Sequence, residues 1–188
     1  MIKKVLLTAA FAAVFAVFAK PVTLVKDGKA ASVIVVSDKA GEVAKNAAEI
    51  LAEHLKLISG ADIPIVKESA VPSGSNRIYV GATDAAAKLG MTPDKFVQEA
   101  WQIKAVDGDL YFTGGESDGK VFYEIPAGAN FKQTHKIWAD NGFHRLTRRG
   151  PIYAVVKFLD RQLGVRWLWP GELGTVVPKS STITVPEN

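Results

Sequence analysis

The chain contains no cysteine, which excludes disulfide staples and thiolate metal centres. It has three histidines, His54, His135 and His144. Together with Asp140 the last two fall at spacings that match no known metal-ligand signature, so no metal and no cofactor is implied. The glycine-rich stretch Thr113 to Gly119 follows an extended run, but it lacks both the Walker lysine and the GxGxxG spacing that wraps a pyrophosphate. It reads as a turn. No GxSxG elbow surrounds Ser73, Ser75, Ser180 or Ser181. Acidic residues are plentiful, yet no spacing singles out the carboxylate pair that glycoside hydrolysis requires. No catalytic residue is assigned.

Charge excludes a further class. Lys and Arg number 23 against 19 Asp and Glu, a net charge of +4. Lys3 and Lys4 precede an apolar run from Val5 to Ala19. Without that leader the balance falls to 4 − 2 = +2. The remaining basic residues are scattered rather than gathered on one element, so nucleic acid is not an expected partner. The small group Arg145, Arg148 and Arg149 reads as a solvated loop.

The leader has the form of a secretory signal peptide over residues 1–19, with small residues Val17 and Ala19 before a polar turn at Lys20. Its apolar run is shorter than the roughly 20 residues needed to cross a bilayer. The expectation is an exported protein, periplasmic or extracellular, with no stable membrane anchor. Residues 20–188, about 170 in number, suffice for one packed domain. They are too few for a TIM barrel of about 250 residues.

Periodicity supplies the elements. Val22 to Val25 and Ser32 to Val36 read as strands about the turn Asp27-Gly28-Lys29, the second β-branched as in a strand buried on both faces. From Val43 to Ser59, Ala44, Ala47, Leu51, Leu55 and Ile58 share one helical face, and Gly60 ends the helix. His54 on this helix reads as a surface or core-edge residue. Ile63 to Val66, with Pro64, reads as an edge strand, and Arg77 to Val80 as another. Asp84 to Leu89 is a short helix stopped by Gly90, and Thr92-Pro93 starts another. Trp101 to Val106 and Asp109 to Thr113 flank Asp107-Gly108 as a hairpin, which makes the sheet mixed. Its register leaves open whether Leu110 and Phe112 or Tyr111 and Thr113 join Trp101, Ile103 and Ala105. Pro151 to Leu163 forms a second amphipathic helix, with Gly164 as its stop, and Val165 to Val185 is extended and rich in turns. The expected fold is α/β: a two-layer sandwich whose mixed sheet carries both main helices on one face. Glu116 to Arg149, an aromatic stretch without sustained period, interrupts it as an inserted excursion.

One segment points to chemistry. In Gly164 to Lys179, GVRWLWPGELGTVVPK, Trp167 and Trp169 stand two residues apart, so on a strand they share one side with Arg166 and Leu168 opposite. Indole faces suit the axial C–H groups of sugars, with Arg166 or Glu172 at hand for hydroxyls. Both rings as core anchors is the competing reading.

The blocks LAEHLKLISGADIPIV (Leu51 to Val66), RIYVGAT (Arg77 to Thr83), DLYFTGG (Asp109 to Gly115) and YAVVKFLDRQLGVRWLWPGELGTVVPK (Tyr153 to Lys179) together resemble the N-terminal domain of family-67 α-glucuronidases. They are equally similar to the leading domain of uncharacterised polysaccharide-degrading bacterial proteins and, distantly, to the pre-barrel domain of β-hexosaminidases. The resemblance implies a non-catalytic accessory domain of an exported glycoside hydrolase, with a TIM barrel as partner in cis or lost, and polysaccharide as the material acted on. A stand-alone carbohydrate-binding or protein-interaction module is the alternative. Arg166, Trp167, Trp169 and Glu172 are the residues expected to contact carbohydrate or barrel. The excursion departs from the family, where a short glycine-containing link joins the hairpin to the second helix.

Mass spectrometry of the exported protein is expected to place its first residue at or near Lys20; an intact segment from Met1 to Ala19 would contradict the leader.

Overall fold

A computed structural model describes residues 21–117 and 148–187. The leader, most of the excursion with its aromatics Phe122, Tyr123, Phe131, Trp138 and Phe143, and the group His135, Asp140, His144 all lie outside the described residues.

The chain runs β1 (Val22–Lys26), β2 (Lys29–Ala30), β3 (Ser32–Val36), α1 (Glu42–Ser59), β4 (Ile65–Lys67), β5 (Asn76–Val80), α2 (Asp84–Lys88), β6 (Trp101–Val106) and β7 (Asp109–Gly114). After the excursion come α3 (Gly150–Arg161), β8 (Arg166–Trp167), β9 (Thr175–Val176) and β10 (Ile183–Val185). The main sheet has the order β4-β3-β5-β7-β6, parallel except for the antiparallel β6–β7 hairpin. As its continuous β-branched run predicts, β3 is buried along its whole length, and β4, with Pro64 at its start, lies at an edge. Asp107 (φ 53°) and Gly108 (φ 81°) turn the hairpin, which needs left-handed backbone at both positions.

That turn fixes the register left open by the sequence. Ile103 pairs with Phe112 and Ala105 with Leu110. Two ranks of apolar side chains therefore cross the sheet on one face: Ile34, Ile78, Leu110 and Ala105 in one, Val36, Val80, Phe112 and Ile103 in the other. Both ranks belong to the main core with Leu51 and Leu55 of α1 and Val155, Phe158 and Leu159 of α3. The two long helices thus cover one face of a mixed sheet, the two-layer arrangement expected. Phe158 meets Phe112 edge to face, ring centres 5.0 Å apart.

The opposite face carries a smaller cluster. Val33, Val35, Tyr79 and Tyr111 pack there with Ala86 and Met91, under α2, whose N-cap Thr83 accepts the Ala86 N–H at 3.2 Å. Beyond Thr92-Pro93 the chain makes only a 3-10 turn, Pro93–Lys95, not a further α-helix.

Both long helices end on left-handed glycines. Gly60 (φ 79°) donates its N–H to Lys56 O at 2.8 Å. Gly164 (φ 74°) turns the chain so that Val165 N–H reaches Leu159 O at 2.9 Å. β10 returns antiparallel to β1 and forms a separate three-stranded sheet with β1 and β2.

The two ends of the excursion meet. Glu116 and Arg149 form a β-bridge, Gly150 N–H donates to Gly115 O at 2.9 Å, and Arg148 N–H to Ser117 Oγ at 3.3 Å. The contact depends on absent side chains: a Cβ on Gly150 would lie 2.7 Å from Gly115 N, and one on Gly115 would collide with the Gln98 carbonyl. Hairpin and helix therefore meet at Gly114, Gly115 and Gly150, although Glu116 to Arg149 intervene in the sequence. Ser117 and Arg148, the last and first described residues on either side, are in contact.

Deleting 118–147 and joining Ser117 to Arg148 through two glycines is expected to preserve cooperative unfolding. The thermal midpoint should move by a few degrees, about 1 kcal/mol or less; loss of the cooperative transition would contradict this account of the junction.

Candidate functional site

The segment Gly164 to Lys179 folds as a two-stranded ribbon against the C-terminal half of α1. Arg166 pairs with Val176 and Trp167 with Thr175, antiparallel, and Leu168 N–H continues the pairing to Gly174 O at 2.8 Å. The far end closes through Gly171 (φ 90°) and a 3-10 turn, Glu172–Gly174. Gly174 is obligatory in this geometry, because a Cβ there would overlap the Trp169 backbone.

The strand ends at Trp167, with one further backbone hydrogen bond at Leu168. Trp169 thus lies in the bend beyond it, and the expectation that both tryptophans alternate along one strand is corrected: the turn of Trp169-Pro170-Gly171 breaks the period. The two rings nevertheless border one shallow depression of about 380 Å3, with Leu168, Pro170, Gly171 and Thr175.

Neither ring is core. Trp167 retains 41% of its surface and Trp169 74%. Leu168, Leu173 and Val176 are likewise exposed, Leu173 completely. Trp167 does have one anchor, the His54 ring, 5.4 Å away and inclined by 60°. His54 itself is buried at the core edge, and its Nδ1–H donates to Ile50 O at 2.8 Å.

Arg166 serves the ribbon's root. Its Nη1 donates to the Asp160 carboxylate at 2.8 Å, to the Asp160 carbonyl, and to Val165 O at 2.9 Å. Asp160 also meets Arg161 at 3.1 Å. A cation on the last carbonyls of α3 satisfies acceptors that the helix leaves unpaired and complements its dipole. These contacts turn Nη1 toward α3 rather than toward a ligand beside the tryptophans. Glu172 stands in the 3-10 turn; its side chain lies outside the described ones.

Between α1 and the ribbon runs a cleft of about 540 Å3, lined by Glu53, His54, Leu57, Trp167, Gly171, Thr175 and Val177. Sequence reasoning missed the α1 side of it. The available signal was His54, a polar residue set among Leu51, Leu55 and Ile58 in a buried stripe.

Among the described residues, Asp109 is the carboxylate whose pKa burial pushes up, the usual mark of a candidate acid. Its partners oppose that rise and give it a structural role: Arg77 N–H donates to Oδ1 at 3.1 Å and Arg77 Nη1 to Oδ2 at 3.3 Å, locking β5 to the start of β7. No group of three potential metal ligands occurs among the described residues.

No family model and no curated protein matches the chain. Among solved structures it is similar to a family GH115 4-O-methyl-alpha-glucuronidase, BtGH115A, with specificity for decorated arabinogalactans. The identity is 14% and the TM-score 0.52, over 86% of this chain and 17% of that one. The likeness is one of fold. It does not confirm the family-67 resemblance of the sequence.

Trp169→Ala is expected to change stability by no more than about 0.5 kcal/mol, as at other exposed positions. Trp167→Ala, which also loses the His54 contact, should cost about 1 kcal/mol. Phe158→Ala in the core should cost about 3 to 5 kcal/mol. Denaturant unfolding of the three variants checks the order; a Trp169→Ala loss equal to that of Phe158→Ala would contradict the exposed ribbon.

Proposed function

We propose that this chain is a non-catalytic N-terminal accessory domain of an exported, α-glucuronidase-like glycoside hydrolase acting in polysaccharide degradation. The observation that carries the reading is the apolar surface on the ribbon: Leu168, Trp169, Leu173 and Val176 lie open to solvent. By the pairing of β8 with β9, Arg166, Leu168 and Val176 share the ribbon's outer face, opposite Trp167 and Thr175. Clustered exposed apolar side chains mark interaction surfaces. The partner proposed for this one is a catalytic TIM barrel, in the same polypeptide or a separate one. The fold likeness to a glucuronidase, of whose length the chain spans 17%, supports a subsidiary role. The lysine-led apolar leader supports export.

A second reading has its own observation. Trp167 and Trp169 border a solvent-open depression, and exposed indoles of this kind suit sugar rings, so a carbohydrate-binding module is the alternative.

Antibody purification of the native protein, followed by mass spectrometry, is expected to recover a glycosidase catalytic domain in the same polypeptide or in a stable complex. Leu173→Asp should weaken that association where the two are separate chains. Recovery of the chain alone would refute the docking role. The isolated chain is expected not to hydrolyse 4-nitrophenyl glycosides, glucuronides included, above buffer. Reproducible turnover abolished by a single Asp or Glu substitution would overturn the non-catalytic assignment.

A further inference from the structure

The ribbon's inner face differs chemically from its outer one, and the α1 cleft takes its character from that face. Its floor is His54, nine-tenths buried. Because Ile50 O can only accept, the Nδ1 bonded to it at 2.8 Å carries a proton. In the neutral ring Nε2 is then an acceptor lone pair, on the edge of the imidazole turned away from its own helix. The hydrogen bond to the ring is made at Nδ1. The Thr175 hydroxyl spends its proton on Gly171 O at 3.1 Å, leaving oxygen lone pairs, and Glu53 adds an exposed carboxylate at the rim. Apart from the Trp167 indole N–H, the side chains lining the cleft therefore offer acceptors and apolar surface: Leu57, Val177 and the partly exposed Trp167 ring.

We propose that this cleft binds a neutral pyranose unit, which has many hydroxyl donors and an apolar C–H face, and discriminates against uronate units. The hydroxyl protons go to His54 Nε2, the Glu53 carboxylate and Thr175 Oγ1, while the C–H face lies on Trp167. A uronate carboxylate needs donors, meets few here, and is repelled by Glu53. The lysines of the adjoining depression are engaged elsewhere: Lys56 pairs with Asp62 at 2.7 Å, and Lys179 donates to Leu57 O at 2.6 Å. A volume of about 540 Å3 falls within the roughly 300–1,000 Å3 of small-molecule sites. The proposal deepens the carbohydrate-binding reading and is independent of docking through the outer face.

The test is an NMR titration of the full chain at neutral pH with cellotetraose, xylotetraose, galactotetraose and tetragalacturonate, following the His54 and Trp167 side-chain signals. At least one neutral tetrasaccharide is expected to shift both signals saturably and to bind about tenfold or more tighter than tetragalacturonate, tenfold being about 1.4 kcal/mol. Glu53→Gln, on an exposed side chain, should narrow that gap severalfold, and His54→Phe should abolish the Trp167 shift. Equal or tighter binding of tetragalacturonate at this cleft overturns the neutral-sugar assignment while leaving a carbohydrate-binding module standing. Absence of binding by all four overturns both. An unchanged gap in Glu53→Gln, whatever His54→Phe does, also overturns the assignment.

Discussion

Everything in this molecule rests on the burial of two helical stripes over two ranks of side chains. Ile34, Ile78, Leu110 and Ala105, with Val36, Val80, Phe112 and Ile103, make one face of the sheet apolar across four strands. Without disulfides, this contact with α1 and α3 is the main source of stability. It also fixes where the helices end. The left-handed Gly60 and Gly164 release the chain at those ends, and the ribbon grows from the second of them.

The ribbon is held from three sides without being buried. Arg166 gathers the end of α3 through Asp160 and Val165. His54 braces Trp167 from α1. Gly174 allows the backbone to close on Trp169. Such a ribbon keeps its shape while leaving Leu168, Trp169 and Leu173 in water, an arrangement with no advantage for folding and the one on which the proposed docking role rests. Its two faces differ in chemistry: apolar outward, acceptor-rich and aromatic toward α1.

The helices and the hairpin were legible in the sequence because their signals are local. A 3.6-residue stripe on α1 and α3, glycines at their ends, and Asp107-Gly108 between alternating runs each specify structure within a few residues. The hairpin register was not legible; it depends on which face meets the helices. The candidate site was half legible. Trp167 and Trp169 are conspicuous, but their exposure depends on a strand that stops at Trp167, where the turn of Trp169-Pro170-Gly171 follows and Gly174 closes on Trp169. His54 and Glu53 join Trp167 only through tertiary packing across more than a hundred residues of chain. The excursion hid the simplest feature of all: its ends touch, so hairpin and helix are neighbours despite it.

The central proposal is that the ribbon is a docking surface for a catalytic domain. Hydrogen exchange of the ribbon amides from Arg166 to Val176 tests it most directly, measured in the isolated chain and again with the glycosidase catalytic domain joined or bound. The account predicts fast exchange in the isolated chain, a protected core in both states, and protection of the ribbon with the catalytic domain present. Ribbon exchange identical in the two states, or protected already in the isolated chain, would contradict it.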